Sequence, residues 1–320
     1  MTSWINLMIA SDCLMSLGHK AIRSTVISFA DAIEQSLLEQ NFSLVTDYDV
    51  FLAAWRLFES RSFNDTQIKR LPLDWDVVRT RGMIRKLVNR HSLAQDKDFR
   101  SSVWRLVQSK QATDAAEAAC IADPFCYVSH LSAMHRYGLT DEAPKALHLS
   151  RPVRTLWNSL RDARVADEVP PRLAKDVATL LPHLNLGDAL RRKPVVIHET
   201  KYPAKTARLG DEKTRVSDRG ATFIDMLEAP HLCGGMAYVI DVWEAHARNW
   251  IDPILDATDA APAGIVKVRA GYILSERMGV ASPRIEAWRA FAQRGGSRKL
   301  DPSAEYRPVF SEAWMISLNA

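Results

Sequence analysis

Cysteine is scarce in this 320-residue chain and never paired. Cys13, Cys120, Cys126 and Cys233 form no Cys-x-x-Cys and have no histidine partner at zinc-finger spacing. That argues against a disulfide framework or a structural zinc site, and for reduced thiols in the cytoplasm. Long apolar runs are missing too. The stretch Trp4–Leu17 is interrupted by Asp12 and follows no basic cluster. It falls short of the roughly 20 residues that span a bilayer, so neither a signal peptide nor a membrane segment is expected. Gly-x-x-x-x-Gly-Lys-Ser/Thr and Gly-x-Gly-x-x-Gly are absent, which removes the common phosphate-binding loops. Gly-Ser followed by paired aspartates is absent as well, so the chain is not expected to be a nucleotidyltransferase. No repeat or low-complexity tract is present.

What the chain has is ordinary globular composition, 47% hydrophobic and 25% charged, and length enough for two or three cores. Its net charge of +4 is small but unevenly placed. Residues 46–110 hold 13 Lys/Arg against 8 Asp/Glu, a local excess of five that leaves the rest of the chain near −1.

That basic segment has helical periodicity. A helix is predicted from Phe29 to Gln40 with Ile33, Leu37 and Leu38 as its stripe. A second runs from Thr46 or Asp47 to Glu59, carrying Val50, Phe51, Ala54, Trp55, Leu57 and Phe58. After a turn at Ser62–Asn64, a short helix is predicted over Asp65–Leu71, stopped by Pro72, then a longer one from Trp75 to Arg90. Two strands, Ser92–Ala94 and Ser102–Val107, follow around a polar loop. Three helices and then a β-hairpin is the plan of a winged helix-turn-helix.

On a wheel, the Trp75–Arg90 helix collects Val77, Ile84, Leu87 and Val88 on one side. Arg79, Gly82, Lys86, Asn89 and Arg90 face the other way, with Arg85 at the flank. A recognition helix needs this division, and Arg and Asn are the side chains that pair bidentately with guanine and adenine. Lys69 and Arg70 on the predicted short helix, and Lys97 and Arg100 in the hairpin loop, are placed to reach phosphate. The bland alternative is a solvated basic face. The order of elements favours DNA.

Further along, Gln108–Ala119 reads as a connecting helix or linker. Strands are predicted at Ala146–Leu149, Pro194–His198 and Arg208–Leu209, and a helix at Arg172–Leu181. From Ser217 the pattern is mainly helical, ending in an extended tail at Tyr306–Leu318. The segment Tyr127–Asp141 reads as a strand turning into a two-turn helix. Ser129 is its expected N-cap, Gly138 supplies a positive φ at its end, and Leu139 supplies the contact that follows. A second stretch, Arg215–Leu227 followed by Pro230 and Gly234-Gly235, contains Asp225 among apolar neighbours. It is expected either to pair with an arginine such as Arg219 or to cap an adjoining turn.

Tyr127–Asp141, Arg215–Gly235 and Val268–Glu276 resemble, in order and spacing, the segments of AbiEi-type antitoxins. These are transcriptional regulators of abortive-infection (type IV) toxin–antitoxin systems in phage defence. The resemblance covers about residues 46–320. It implies an α+β chain with an N-terminal winged helix-turn-helix followed by a mixed α/β and mainly helical C-terminal domain. The divisions expected are an N-terminal extension at 1–30, a DNA-binding domain at 31–110 and an antitoxin domain at 120–320. Implied partners are double-stranded DNA, as operator inverted repeats in the protein's own promoter, and a cognate nucleotidyltransferase-like toxin opposed directly or indirectly. No enzymatic activity, cofactor, metal or membrane is expected.

The competing reading is a metal-dependent nuclease of PD-(D/E)xK type. Glu199 and Lys201 after the Pro194–Ile197 strand, with Asp188 upstream, are its only candidates, and the Pro-Asp element is missing.

Overall fold

The computed structural model describes residues 26–41, 43–99, 101–209, 213–293 and 298–320. The first elements are β1 (Val26–Ser28), α1 (Phe29–Glu39), β2 (Leu44–Thr46) and α2 (Asp47–Ser60). Both helices start at caps the sequence supplies. Ser28 Oγ accepts the Asp31 N–H at 3.2 Å, and Thr46 forms a full capping box with Asp49. Replacing Thr46 by alanine is expected to cost about 1 kcal/mol, read as a lower urea midpoint at constant slope.

The next element corrects the sequence reading. Residues 65–71 are not helical. β3 (Ser62–Phe63) and β4 (Thr66–Lys69) form a hairpin around Asn64-Asp65, whose φ values of 46° and 61° make the tight turn. Asn and Asp tolerate that conformation better than other non-glycine residues. β4 also pairs in parallel with β1, Ile27 opposite Ile68. Residues 26–28 therefore belong to this sheet, and Phe29 packs edge-on against Trp75 at 5.0 Å. The expected extension thus ends earlier than residue 30, and its first 25 residues lie outside those described.

α3 (Val77–Asn89) begins at Asp76, whose carboxylate accepts the Arg79 N–H at 2.8 Å, and closes through His91 at φ 59°. β5 (Leu93–Gln95) and β6 (Val103–Leu106) complete an antiparallel sheet in the order β2-β6-β5. The apolar stripes of α1, α2 and α3 meet over it: Ile33, Leu37, Phe51, Ala54, Ile84 and Leu87 are all buried.

Then come α4 (Ala115–Ala122), β7 (Tyr127–Val128), α5 (His130–Arg136), β8 (Leu147–Pro152), α6 (Arg154–Glu168) and α7 (Pro171–Val177). α6 has no counterpart in the sequence reading, because only Trp157 and Val165 along it are fully buried. Those two, with Val169, Val177, Leu180 and Leu181, pack into the same core as α1–α3. Tyr48 on α2 donates to Glu168 at 2.7 Å. The core of the N-terminal helices is therefore finished by residues beyond 120.

β9 (Ala189–Leu190), β10 (Lys193–Thr200), β11 (Thr206–Arg208) and β12 (Arg215–Ser217) join β7 and β8 in a mixed sheet ordered β11-β12-β7-β8-β10-β9. β10 runs parallel to β8, Val195 opposite Leu147, and β7 antiparallel to it. α5 ends as expected. Gly138 has φ 67°, and the Leu139 N–H reaches back to the Met134 carbonyl at 2.9 Å.

α8 (Arg219–Glu228), α9 (Met236–His246), α10 (Ile251–Ala260), α11 (Gly264–Gly271) and α12 (Pro283–Trp288) form the final helical layer, with the hairpin β13 (Phe310–Ser311) and β14 (Ile316–Ser317) over it. Its core centres on buried Trp243, Trp288 and Trp314. Gly220 allows α8 to touch α10: a Cβ there would lie 2.1 Å from the Pro253 carbonyl oxygen. Taken together, the described residues form an α+β chain. None of their helices is long and apolar enough to cross a membrane.

Candidate nucleic-acid interface

α3 buries Val77, Thr80, Ile84 and Leu87 and turns the opposite side outward. Arg79, Arg81, Gly82, Arg85, Lys86 and Asn89 are all exposed there. Val77–Asn89 contains three arginines and one lysine and no acidic residue. Arg81, Arg85 and Lys86 form no ion pair among the described residues, whereas Arg79 pairs with Asp74 at 2.7 Å. That pair is exposed on both sides and holds Arg79 only weakly. A free cation on a rigid helix is poised to neutralise phosphate or meet a guanine edge.

Arg81 was missed by the sequence reading, although it lies one helical turn before Arg85. Gly82 is unusual for a different reason. A Cβ there would meet nothing within 4 Å among the described residues, so no packing against them accounts for a residue that costs about 1 kcal/mol in mid-helix.

The other expected contacts are placed less uniformly. Arg90 is drawn back onto α1, donating to Asp31 and lying 3.6 Å from Glu34. Ser28 and Arg90 together hold the Asp31 carboxyl below its usual range. Lys69 and Arg70 are exposed, but on β4 and the turn after it (Arg70 φ 57°) rather than on a helix. Lys97 is exposed in the β5–β6 loop, flanked by two carboxylates that point into the protein. Asp96 pairs with Arg191 at 2.9 Å, and Asp98 accepts the Arg191 main-chain N–H at 2.8 Å. This loop is thereby clamped to the β9–β10 turn. Arg100 lies outside the described residues.

The nuclease candidates are not assembled. The Glu199 carboxylate is taken by Arg151, at 2.9 Å and 3.2 Å, while Lys201 is exposed beyond the end of β10. Among the described residues, no three His, Cys, Asp or Glu side chains are grouped to hold a metal.

A second polar site lies where β7 enters α5. Here the expected Ser129 cap fails, and of the two expectations for Asp225 the arginine pair fails while the carboxylate faces the first turn of α5 instead. Ser129 occupies the N-cap position, but its hydroxyl makes no cap bond. It accepts instead from Ser150 Oγ at 2.7 Å and lies 2.8 Å from His130 Nδ1. His130 is buried with φ 49°, in edge contact with His198, and burial pushes its imidazole pKa down to about 3. Asp225 forms no ion pair among the described residues. It faces the His130 main-chain N–H at 3.5 Å, and Arg219 stacks instead over Trp250 at 4.2 Å. Both residues line a cavity of about 470 Å³ shared with Tyr137, Tyr202, Lys205 and Trp250.

Burial, and then the nearby Glu228, push the Asp225 carboxyl up to about 7. Its folded value is above its unfolded one, so the neutral form stabilises the fold fully below the unfolded value of 3.8. That contribution is lost as pH rises towards 7. Asp225→Asn is expected to raise stability at pH 8 by about 1 kcal/mol or more, and by much less at pH 5. Urea midpoints at the two pH values measure it; an equal gain at both would remove the titration from the account.

No family model and no curated protein matches this chain. Among solved structures, the RV2827C protein from Mycobacterium tuberculosis is similar with a TM-score of 0.41 and 14% identity, over 90% of each chain. That likeness is too slight to carry an argument about this one.

Proposed function

We propose that this chain is a cytoplasmic DNA-binding antitoxin. In this reading it represses its own operon and counteracts a nucleotidyltransferase-like toxin. The observation that carries the DNA part is the outward face of α3, with free arginines and a lysine around a glycine that nothing among the described residues explains. The order α1, β2, α2, α3, β5, β6 and the sheet order β2-β6-β5 support a winged helix, with the β3–β4 hairpin inserted ahead of its recognition helix. The β5–β6 loop is clamped by Arg191, so α3 bears the main contact. The antitoxin part rests on the segments Tyr127–Asp141 and Arg215–Gly235 and their resemblance to AbiEi-type proteins.

The test is a gel shift on the upstream promoter fragment across a salt series. Contacts to about four or five phosphates give a log–log slope of about −4. Co-expression with the adjacent toxin-like reading frame tests the second half, rescue of growth being the expected result. A flat salt response rejects the DNA reading, and no rescue rejects the antitoxin reading.

A further inference from the structure

Leu73 and Val78 are the two most exposed large apolar side chains among the described residues, at 101% and 70%. They sit together in sequence, on either side of the N-terminus of α3. Single exposed apolar residues are ordinary on protein surfaces. Two such residues beside a cluster of unpaired cations are not explained that way. Val78 lies in the first turn of α3, on the face that also presents Gly82, Arg85 and Asn89 at helical spacings of four, seven and eleven. Recognition helices offer the residues of their N-terminal turns to base edges. α3 carries four cations and no acidic residue, and the two carboxylates ahead of it are engaged, Asp74 with Arg79 at 2.7 Å and Asp76 as the cap, so the net charge of this face suits a polyanion.

Within the major groove the bases present hydrogen-bonding groups and one apolar group, the 5-methyl of thymine. We infer that Val78 and Leu73 read thymine methyls, so that the operator is recognised in part through the thymines under the start of α3. This rests on the DNA-binding reading above. Gly82, one turn further on, leaves the helix backbone free to approach the groove floor, which brings Val78 within van der Waals reach of a methyl. Arg81, Arg85 and Asn89 then supply the polar contacts to neighbouring bases and phosphates. The apolar pair decides which base lies beneath the first turn, and the cations hold the helix in place.

The experiment uses the full chain and two copies of the promoter fragment, one made with thymine and one with uracil throughout. The copies have the same charge and the same base pairing and differ only in the methyl groups. The wild type is expected to bind the thymine copy at least about four-fold more tightly, the equivalent of about 0.8 kcal/mol for one buried methyl. The double variant Leu73→Ser/Val78→Ser is expected to bind the two copies alike. Both positions are exposed, so its urea midpoint should match the parent.

Tight, salt-dependent binding with equal affinity for both copies overturns the inference and leaves DNA binding intact. A preference for thymine that survives in the double variant also overturns it, because the methyls are then read elsewhere. Absence of salt-dependent binding to either copy overturns the inference and the DNA reading together, and assigns the apolar pair to a protein partner.

Discussion

Replacing Arg85 by alanine is expected to weaken binding to the promoter fragment by about 5- to 150-fold, about 1–3 kcal/mol, while the fold stays intact. Arg85 is exposed on α3, and its only bond among the described residues is a 3.4 Å contact from Nε to the Arg81 carbonyl within the same helix. Removing the side chain opens no cavity, so a change in affinity reports the loss of an external contact. Gly82→Ala sharpens the test because its two effects have opposite signs. An alanine at that open position should stabilise the helix by about 0.5–1 kcal/mol. The same methyl, placed in the middle of the face proposed to approach DNA, should weaken binding. A more stable variant with weaker binding separates a functional glycine from a neutral one. Affinity unchanged in both variants would assign the basic face to solvation alone. Loss at Arg85 across all sequences marks a phosphate contact, whereas relaxed discrimination marks a base contact.

Trp157→Ala is expected to have the largest effect on stability, a loss of about 3–5 kcal/mol in urea unfolding. Trp157 is fully buried and donates from Nε1 to Asp123 at 2.9 Å. Its ring meets Phe125 at 5.5 Å and His183 at 5.1 Å, both edge-on. It also lies in the core closed by α1–α3, so the damage should reach the N-terminal helices although the residue lies in α6. Two observables follow. Unfolding of the wild type should be a single transition across this core, and a fragment ending at residue 114 should lack cooperative unfolding. A fragment that folds independently, or a Trp157→Ala loss below about 1 kcal/mol, would show that the α6–α7 segment is dispensable packing.

The elements that were legible share one property: their signal is local. α1, α2 and α3 announce themselves by apolar stripes, and α2 also by its start at Thr46; the caps at Ser28 and Asp76 emerge only in the structure. The β5–β6 hairpin and the turn at Gly138 do so through alternation and a required positive φ. The outward direction of Arg79, Gly82, Arg85, Lys86 and Asn89 followed from helical spacing once the buried stripe was known.

The failures share the opposite property. Thr66–Lys69 is a strand because it sits between β3 and β1, and β1, whose paired residues lie 41 positions earlier, is a partner that nothing in four residues records. α6 is held by few buried residues and by a core assembled from another part of the chain. Ser129 has the chemistry of a cap, but Ser150 and His130 compete for its hydroxyl. Arg90 belongs to α3 in sequence and to Asp31 in space. Arg191, unremarkable in the chain, holds the loop that was expected to act as a wing.

The amino-acid order by itself determined where α1, α2 and the body of α3 lie and which side of α3 is charged, because periodicity is settled within a few residues by short-range forces. Only the tertiary structure decided which of those charges stay free, which strand β4 joins and which core α6 completes. Burial and long-range pairing are properties of neighbours brought together by folding, and no local stretch of chain encodes their distances.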